Sequence, residues 1–155
     1  MDGFAYHRQS SDHTCGPASL RMLLRFHGIA RTENTLAAAL RTNEARGTNR
    51  ADMVRIARAE GLRVRAGGMT LEELRRETAA AGPVIVNYVE PHENVGHFAV
   101  ALSVSEAAVM LADPWHGEEF ALSVDDFSAR WLGYKTRDPR RGWGMIAGAK
   151  AFPRA

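Results

Sequence analysis

A thiol, an imidazole and a carboxylate that could act together as a nucleophile, its base and the group orienting that base occur in this sequence as Cys15, His97 and Asp113. A thiolate is a far better nucleophile than a thiol, so a reactive cysteine needs its pKa brought down from about 8.5, and a helix N-terminus is one device that does so. Cys15 stands at such a place. It opens the apolar run Ala18 to Phe26, with Gly16 allowing close backbone approach beside the sulfur and Pro17 where a missing N–H costs nothing. Taken alone, a lone cysteine opening an apolar helix suits a buried structural residue just as well.

A base for that thiol should be a histidine on a rigid element, because imidazole titrates near neutrality and must stay within hydrogen-bond reach of sulfur. His97 follows Gly96 and opens the apolar strand Phe98 to Leu102, whereas His7, His13, His27, His92 and His116 fall in loops or at a helix end, where solvated histidines are expected. Asp113 ends the run Val109 to Ala112, and a turn between Leu102 and Val109 lets the two runs pair as a hairpin that returns Asp113 to His97. Asp113-Pro114 is also ordinary turn chemistry. Gln9, six positions before Cys15, can offer a side-chain N–H beside the Cys15 main-chain N–H to a developing oxyanion; by itself it reads as a surface loop residue.

The elements that must carry these groups can be read from periodicity. Asp12 and Thr14 are capping types ahead of a helix that places Leu20, Leu23 and Leu24 on one face and stops at Gly28. Further helices are expected from Thr32 to Leu40, from Arg50 to Ala59 and, after a short strand at Leu62 to Ala66, from the capping-box pattern at Thr70 toward Gly82-Pro83. Beyond Pro83 the pattern changes to strands at Val84 to Val89, His97 to Val104, Ala108 to Ala112 and Glu119 to Leu122. A short helix at Asp125 to Trp131 and a last strand within Gly142 to Phe152 complete the chain. Helices followed by strands indicate an α+β architecture, and no linker divides residues 1–155, so one domain is expected.

Composition narrows the partners. The formal net charge of +2 comes from 20 basic and 18 acidic residues spread along the chain. The basic runs Arg63 to Arg65 and Arg137 to Arg141 lack interleaved aromatics and read as solvated surface, so no nucleic-acid partner is expected. A single cysteine excludes an internal disulfide and suits either a reducing compartment or a catalytic thiol. With neither a signal peptide nor a membrane-spanning stretch in view, a cytoplasmic location is expected.

Gln9, Cys15-Gly16-Pro17-Ala18, Gly96-His97-Phe98 and Asp113-Pro114, in that order, resemble the glutamine, nucleophile, histidine and acid motifs of the bacteriocin-processing, or double-glycine leader, cysteine peptidases and their stand-alone relatives in the papain-like superfamily. Gly47-Thr48, Gly61, Pro83 and Phe127 through Gly133 also fall where such domains carry similar residues. The resemblance runs from Gln9 to about Gly133 and implies a papain-like fold, a helical layer packed against an antiparallel sheet. It also implies a cysteine peptidase that acts on a peptide or protein without a cofactor.

Amide hydrolysis through an acyl-enzyme is the leading expectation. The same machinery could instead deliver the acyl group to an amine or thiol, as acyltransferases and transpeptidases do, or a domain of this kind could serve as a non-catalytic leader-binding module. A metal site built from Asp113 and His116, or from Cys15 and His97, has weak spacing, and no Cys-x-x-Cys or His-Glu-x-x-His pattern supports it; no metal is expected.

Overall fold

Leu20, Leu23 and Leu24 need a partner surface, and they find it on one face of a sheet. The computed structural model describes residues 3–133 and 141–149. Helices α1 (Cys15–Phe26), α2 (Glu33–Ala39) and α3 (Arg50–Ala59) precede strand β1 (Arg63–Met69) and helix α4 (Leu71–Ala80). Strands β2 (Val84–Val89), β3 (Gly96–Val104), β4 (Ala108–Asp113) and β5 (Gly117–Ser123) follow, then helix α5 (Val124–Arg130) and strand β6 (Gly142–Gly148). Residues 137–140 of the basic run and 150–152 of the expected last strand lie outside the described residues.

The strands form one antiparallel six-stranded sheet in the order β1-β6-β2-β3-β4-β5. Alternation along β2 and β3 divides their side chains between two cores. Ile85, Phe98 and Val100 pack with Leu20, Leu24, Leu36 and Met53 beneath α1 to α3. Val84, Val86, Tyr88, Ala99 and Ala101 pack with Leu74 of α4 and Phe127 of α5 on the other side. The expected helical layer on the sheet is present, and a second, smaller layer covers the opposite face. The separation of helices from strands along the chain is less clean in space, because β1, from the helical half, pairs with the terminal β6.

Local chemistry accounts for most element ends. Thr32 and Thr70 cap α2 and α4, each accepting the main-chain N–H three residues on at 3.1 Å, and Ser123 does the same for α5. Thr14 does not. It occupies the N-cap position of α1, yet its hydroxyl bonds the main chain of Ser11 in both directions at 3.1 Å. Pro17, at the third helical position, has no N–H for a cap to take, while Asp12, the other expected capping residue, pairs with His13. Gly16 also has a packing reason: a Cβ there would lie 2.4 Å from Thr48 Oγ1, so the glycine admits a side chain from the segment before α3.

Two irregularities mark the pairing of β4, one against β3 and one against β5 between Leu111 and Asp113. Between β3 and β4, Val104 pairs with Val109 and Ser103 with Met110, but Ala101 pairs with Leu111 and Val100 with Ala112, a one-residue slip at Leu102. Beyond the Val100–Ala112 pair the strand end brings the Asp113 carboxylate to the His97 ring.

Gly16→Ala should lower stability by about 1–3 kcal/mol through overpacking against Thr48. Thr48→Gly added to that variant should recover part of the loss in paired thermal melts, and a Gly16→Ala melt identical to wild type would contradict this contact.

Candidate active site

Cys15 is the first residue of α1, partly exposed, and its sulfur accepts the main-chain N–H of Phe98 at 3.5 Å. That contact brings the helix N-terminus to the start of β3, where His97 is almost buried. The His97 Nε2 lies 2.8 Å from Asp113 Oδ1, which leaves Nδ1 unassigned, and the ring interacts electrostatically with the Cys15 sulfur. The hairpin inferred from sequence therefore does return Asp113 to His97.

Asp113 is 0% exposed, so its carboxylate must find donors in the protein. Besides His97, Oδ1 accepts the main-chain N–H groups of Trp115 at 2.8 Å and His116 at 2.9 Å, and Oδ2 accepts the Tyr88 hydroxyl. The same carboxylate accepts from the main chain of the turn and from the His97 ring. Its main-chain carbonyl accepts the Tyr6 hydroxyl at 2.5 Å.

Electrostatics follow from this enclosure. Burial alone would push His97 down, but the hydrogen bond to Asp113 and the electrostatic pull of Cys15 and Asp113 outweigh it, raising the imidazole from 6.5 to about 10. For Asp113 burial favours the neutral acid. The hydrogen bond and charge of His97, the Tyr88 hydroxyl and the His116 N–H prevail and hold the carboxyl below its ordinary range.

Gln9 reaches this assembly through its main chain: its N–H donates to Pro114 O at 2.9 Å, which ties it beside Asp113. Its Nε2 donates to Ser11 O at 2.7 Å, which occupies one amide hydrogen and leaves the second, while Oε1 is buried without a partner among the described residues. His97 and Asp113 are thus joined directly, Cys15 is tied to the Phe98 N–H beside His97, and Gln9 is tied to Pro114 by backbone. A cavity of about 190 Å³ opens between the Gln9 segment and Trp115.

Several supporting residues carry no signal in the sequence pattern. Glu33, in the first turn of α2, is buried and accepts from His7 Nε2 at 3.2 Å, Ser10 N–H at 3.1 Å and the Ser10 hydroxyl, which fixes the segment carrying Gln9. Arg50 donates to Asn87 Oδ1 at 2.8 Å from Nη2, and Asn87 Nδ2 donates to the His97 carbonyl at 3.1 Å. His116 corrects the expectation of a solvated loop histidine: its side chain is 15% exposed, bonds Glu90 Oε1 at 3.1 Å and stacks on Phe120 at 4.7 Å. Glu90 lies 26 positions away, so no local pattern signals the pair. Burial favours the neutral form of Glu90, but the N–H groups of Glu93 and His92 and the His116 ring hold its carboxyl below the ordinary value.

The weighed metal pairing of Asp113 and His116 meets a different geometry, since Asp113 accepts the His116 main-chain N–H while the His116 ring bonds Glu90. Among the described residues no group of three or more His, Cys, Asp or Glu is arranged to hold a metal ion, and no helix is long and apolar enough to cross a membrane.

Because the His97 value is raised in the folded protein, its contribution to stability is complete below about pH 6.5 and is lost as pH rises through about 10. Nitrogen NMR of ring-labelled protein should find His97 still an imidazolium at pH 8, with its midpoint lowered in Cys15→Ala. A neutral ring at pH 8 in the unaltered protein would overturn this electrostatic account.

Comparison with known proteins identifies the family and the fold. Residues 3–136 match the model of the Peptidase C39 family. An uncharacterized protein of Methanothermobacter marburgensis is 36% identical over 126 residues, 81% of this chain and 82% of that protein. The peptidase domain of Streptococcus ComA, a bifunctional ABC transporter involved in quorum sensing, superposes with a TM-score of 0.79 at 19% identity, covering 95% of this chain and 99% of that one. A double-glycine-motif protease from an AMS/PCAT transporter, solved with its leader peptide, gives 0.76 at 19% identity over 94% and 91% of the two chains. These likenesses share the papain-like arrangement of helices against an antiparallel sheet found here. The chain belongs to the Peptidase C39 family and is a cysteine peptidase.

Proposed function

We propose that this peptidase removes a leader segment from a precursor peptide by nucleophilic catalysis, with Cys15 as nucleophile, His97 as proton carrier, Asp113 as the group orienting His97 and Gln9 as an oxyanion donor. The observation that carries the reading is the Cys15 sulfur held on the Phe98 N–H beside His97, whose ring bonds a fully buried Asp113. The leader-peptide substrate is suggested by the leader-bound relative and by the bacteriocin-processing motifs.

In this mechanism the Cys15 sulfur attacks the scissile carbonyl carbon while the protonated His97 waits beside it. The carbonyl oxygen becomes an oxyanion facing the Cys15 main-chain N–H and the second amide hydrogen of Gln9. The main-chain N–H groups opening α1 have no intrahelical acceptor, and the Thr14 hydroxyl does not take them, which suits them to that charge. Collapse breaks the C–N bond and the amine leaves with the proton from His97. A thioester remains. Neutral His97 then takes a proton from water, the hydroxide equivalent attacks the thioester, and the carboxylic acid and the sulfur are released, with the proton back on His97. The same reading takes the described elements as one peptidase domain working in the cytoplasm, where a lone thiol stays reduced.

Cys15→Ala should abolish turnover and keep the fold, and full activity in that variant would sink the mechanism. A peptide library that includes double-glycine leaders, read by mass spectrometry, tests the substrate: cleavage indifferent to the leader would refute leader processing. Gln9→Ala should reduce kcat by about a hundred- to a thousandfold with little change in KM. Lost binding with kcat retained would mark Gln9 as a substrate contact.

A further inference from the structure

The Asp113 carboxylate has a partner that the proposed chemistry does not itself require. Tyr88 sits on β2 directly opposite His97 of β3, and its side chain is wholly buried. The ring lies edge-on to His97 with centroids 5.8 Å apart and packs against Phe127 at 6.2 Å, which in turn packs against Trp131 at 5.1 Å. From that fixed position the hydroxyl donates to Asp113 Oδ2, the oxygen that His97 does not use.

A carboxylate bound through one oxygen can still turn about its terminal torsion, which is broad and soft. Asp113 Oδ1 already carries His97 Nε2 and the N–H groups of Trp115 and His116, so the unassigned freedom lies at Oδ2. We propose that Tyr88 is a positioning residue for the reaction: its hydroxyl locks the plane of the Asp113 carboxylate and so fixes the direction in which His97 presents its other nitrogen to Cys15.

The phenol is suited to remain a donor. Burial and the negative charge of Asp113 raise its pKa well above the ordinary value, so it keeps its proton throughout the working range. Tyr6 differs, because its hydroxyl serves the main-chain carbonyl of Asp113 and leaves the carboxylate plane untouched.

This inference rests on the proposed roles of His97 and Asp113, and the test separates the two. Tyr88→Phe keeps the ring and removes only the hydroxyl. Turnover per alkylatable Cys15 should fall about tenfold, the effect of one charge-assisted hydrogen bond lost from the transition state, with KM little changed. Carbon NMR of the Asp113 carboxyl should show its titration moved upward, because one of the donors favouring the ionised form is gone. In an Asp113→Asn background the Tyr88→Phe change should add no further loss. Normal turnover in Tyr88→Phe beside an impaired Asp113→Asn would overturn the Tyr88 role alone, as would a slowed Tyr88→Phe enzyme with an unmoved carboxyl titration. Normal turnover in Asp113→Asn would overturn both readings.

Discussion

Removing a carboxylate from water costs several kcal/mol unless the protein supplies donors in water's place, and in this fold the Asp113 carboxylate draws them from distant parts of the chain. Tyr88 comes from β2, His97 from β3, and Trp115 and His116 from the turn after β4. Each of these groups can reach Asp113 only when the strands carrying them are in register, so the buried charge ties assembly of this end of the sheet to the geometry of the candidate site. The arrangement is exacting, since removal of one partner from a buried ion pair typically destabilises a protein by about 3–5 kcal/mol.

The N-terminal segment is held to the same centre by separate means. Tyr6 and Gln9 bond the carbonyls of Asp113 and Pro114, while Glu33 gathers His7 and Ser10 from the other side. A stretch that would otherwise be an open loop is fixed at several points, and Gln9 lies among them. Arg50 acts comparably on the opposite flank, where it holds Asn87 and through it the main chain of His97. Preorganisation of this kind matters for a peptidase because groups already in place when charge develops need no reorganisation at that moment.

The parts of this design that sequence reveals are those written locally. Leu20, Leu23 and Leu24 announce a helix by their spacing, Thr70 with Glu73 announces a helix start, and Val84 to Val89 reads as a strand because its residues fit a pleated, buried surface. Cys15, His97 and Asp113 stood out because each falls at the end of such an element. Tyr88, Glu33 and Glu90 were hidden, since their partners lie 25, 23 and 26 residues away and their meaning depends on which strands and helices meet. The pairing of β1 with β6 was hidden for the same reason. Thr14 misled because capping preference is a property of residue types, whereas the actual bond depends on Pro17 having no hydrogen to give.

The slip at Leu102 determines where this chain can change length. Side chains along a strand alternate between faces, so the face on which Asp113 emerges depends on the parity of the pairing between β3 and β4. Residues added at the hairpin tip around Ser105 to Ala107 lengthen a loop and leave the paired residues as they are. A single residue lost between the slip and Asp113 shifts the strand end that must meet both His97 and Gly117. The hairpin therefore joins a stretch open to insertion to one in which length is fixed to the residue, and variation among related chains should concentrate at the tip.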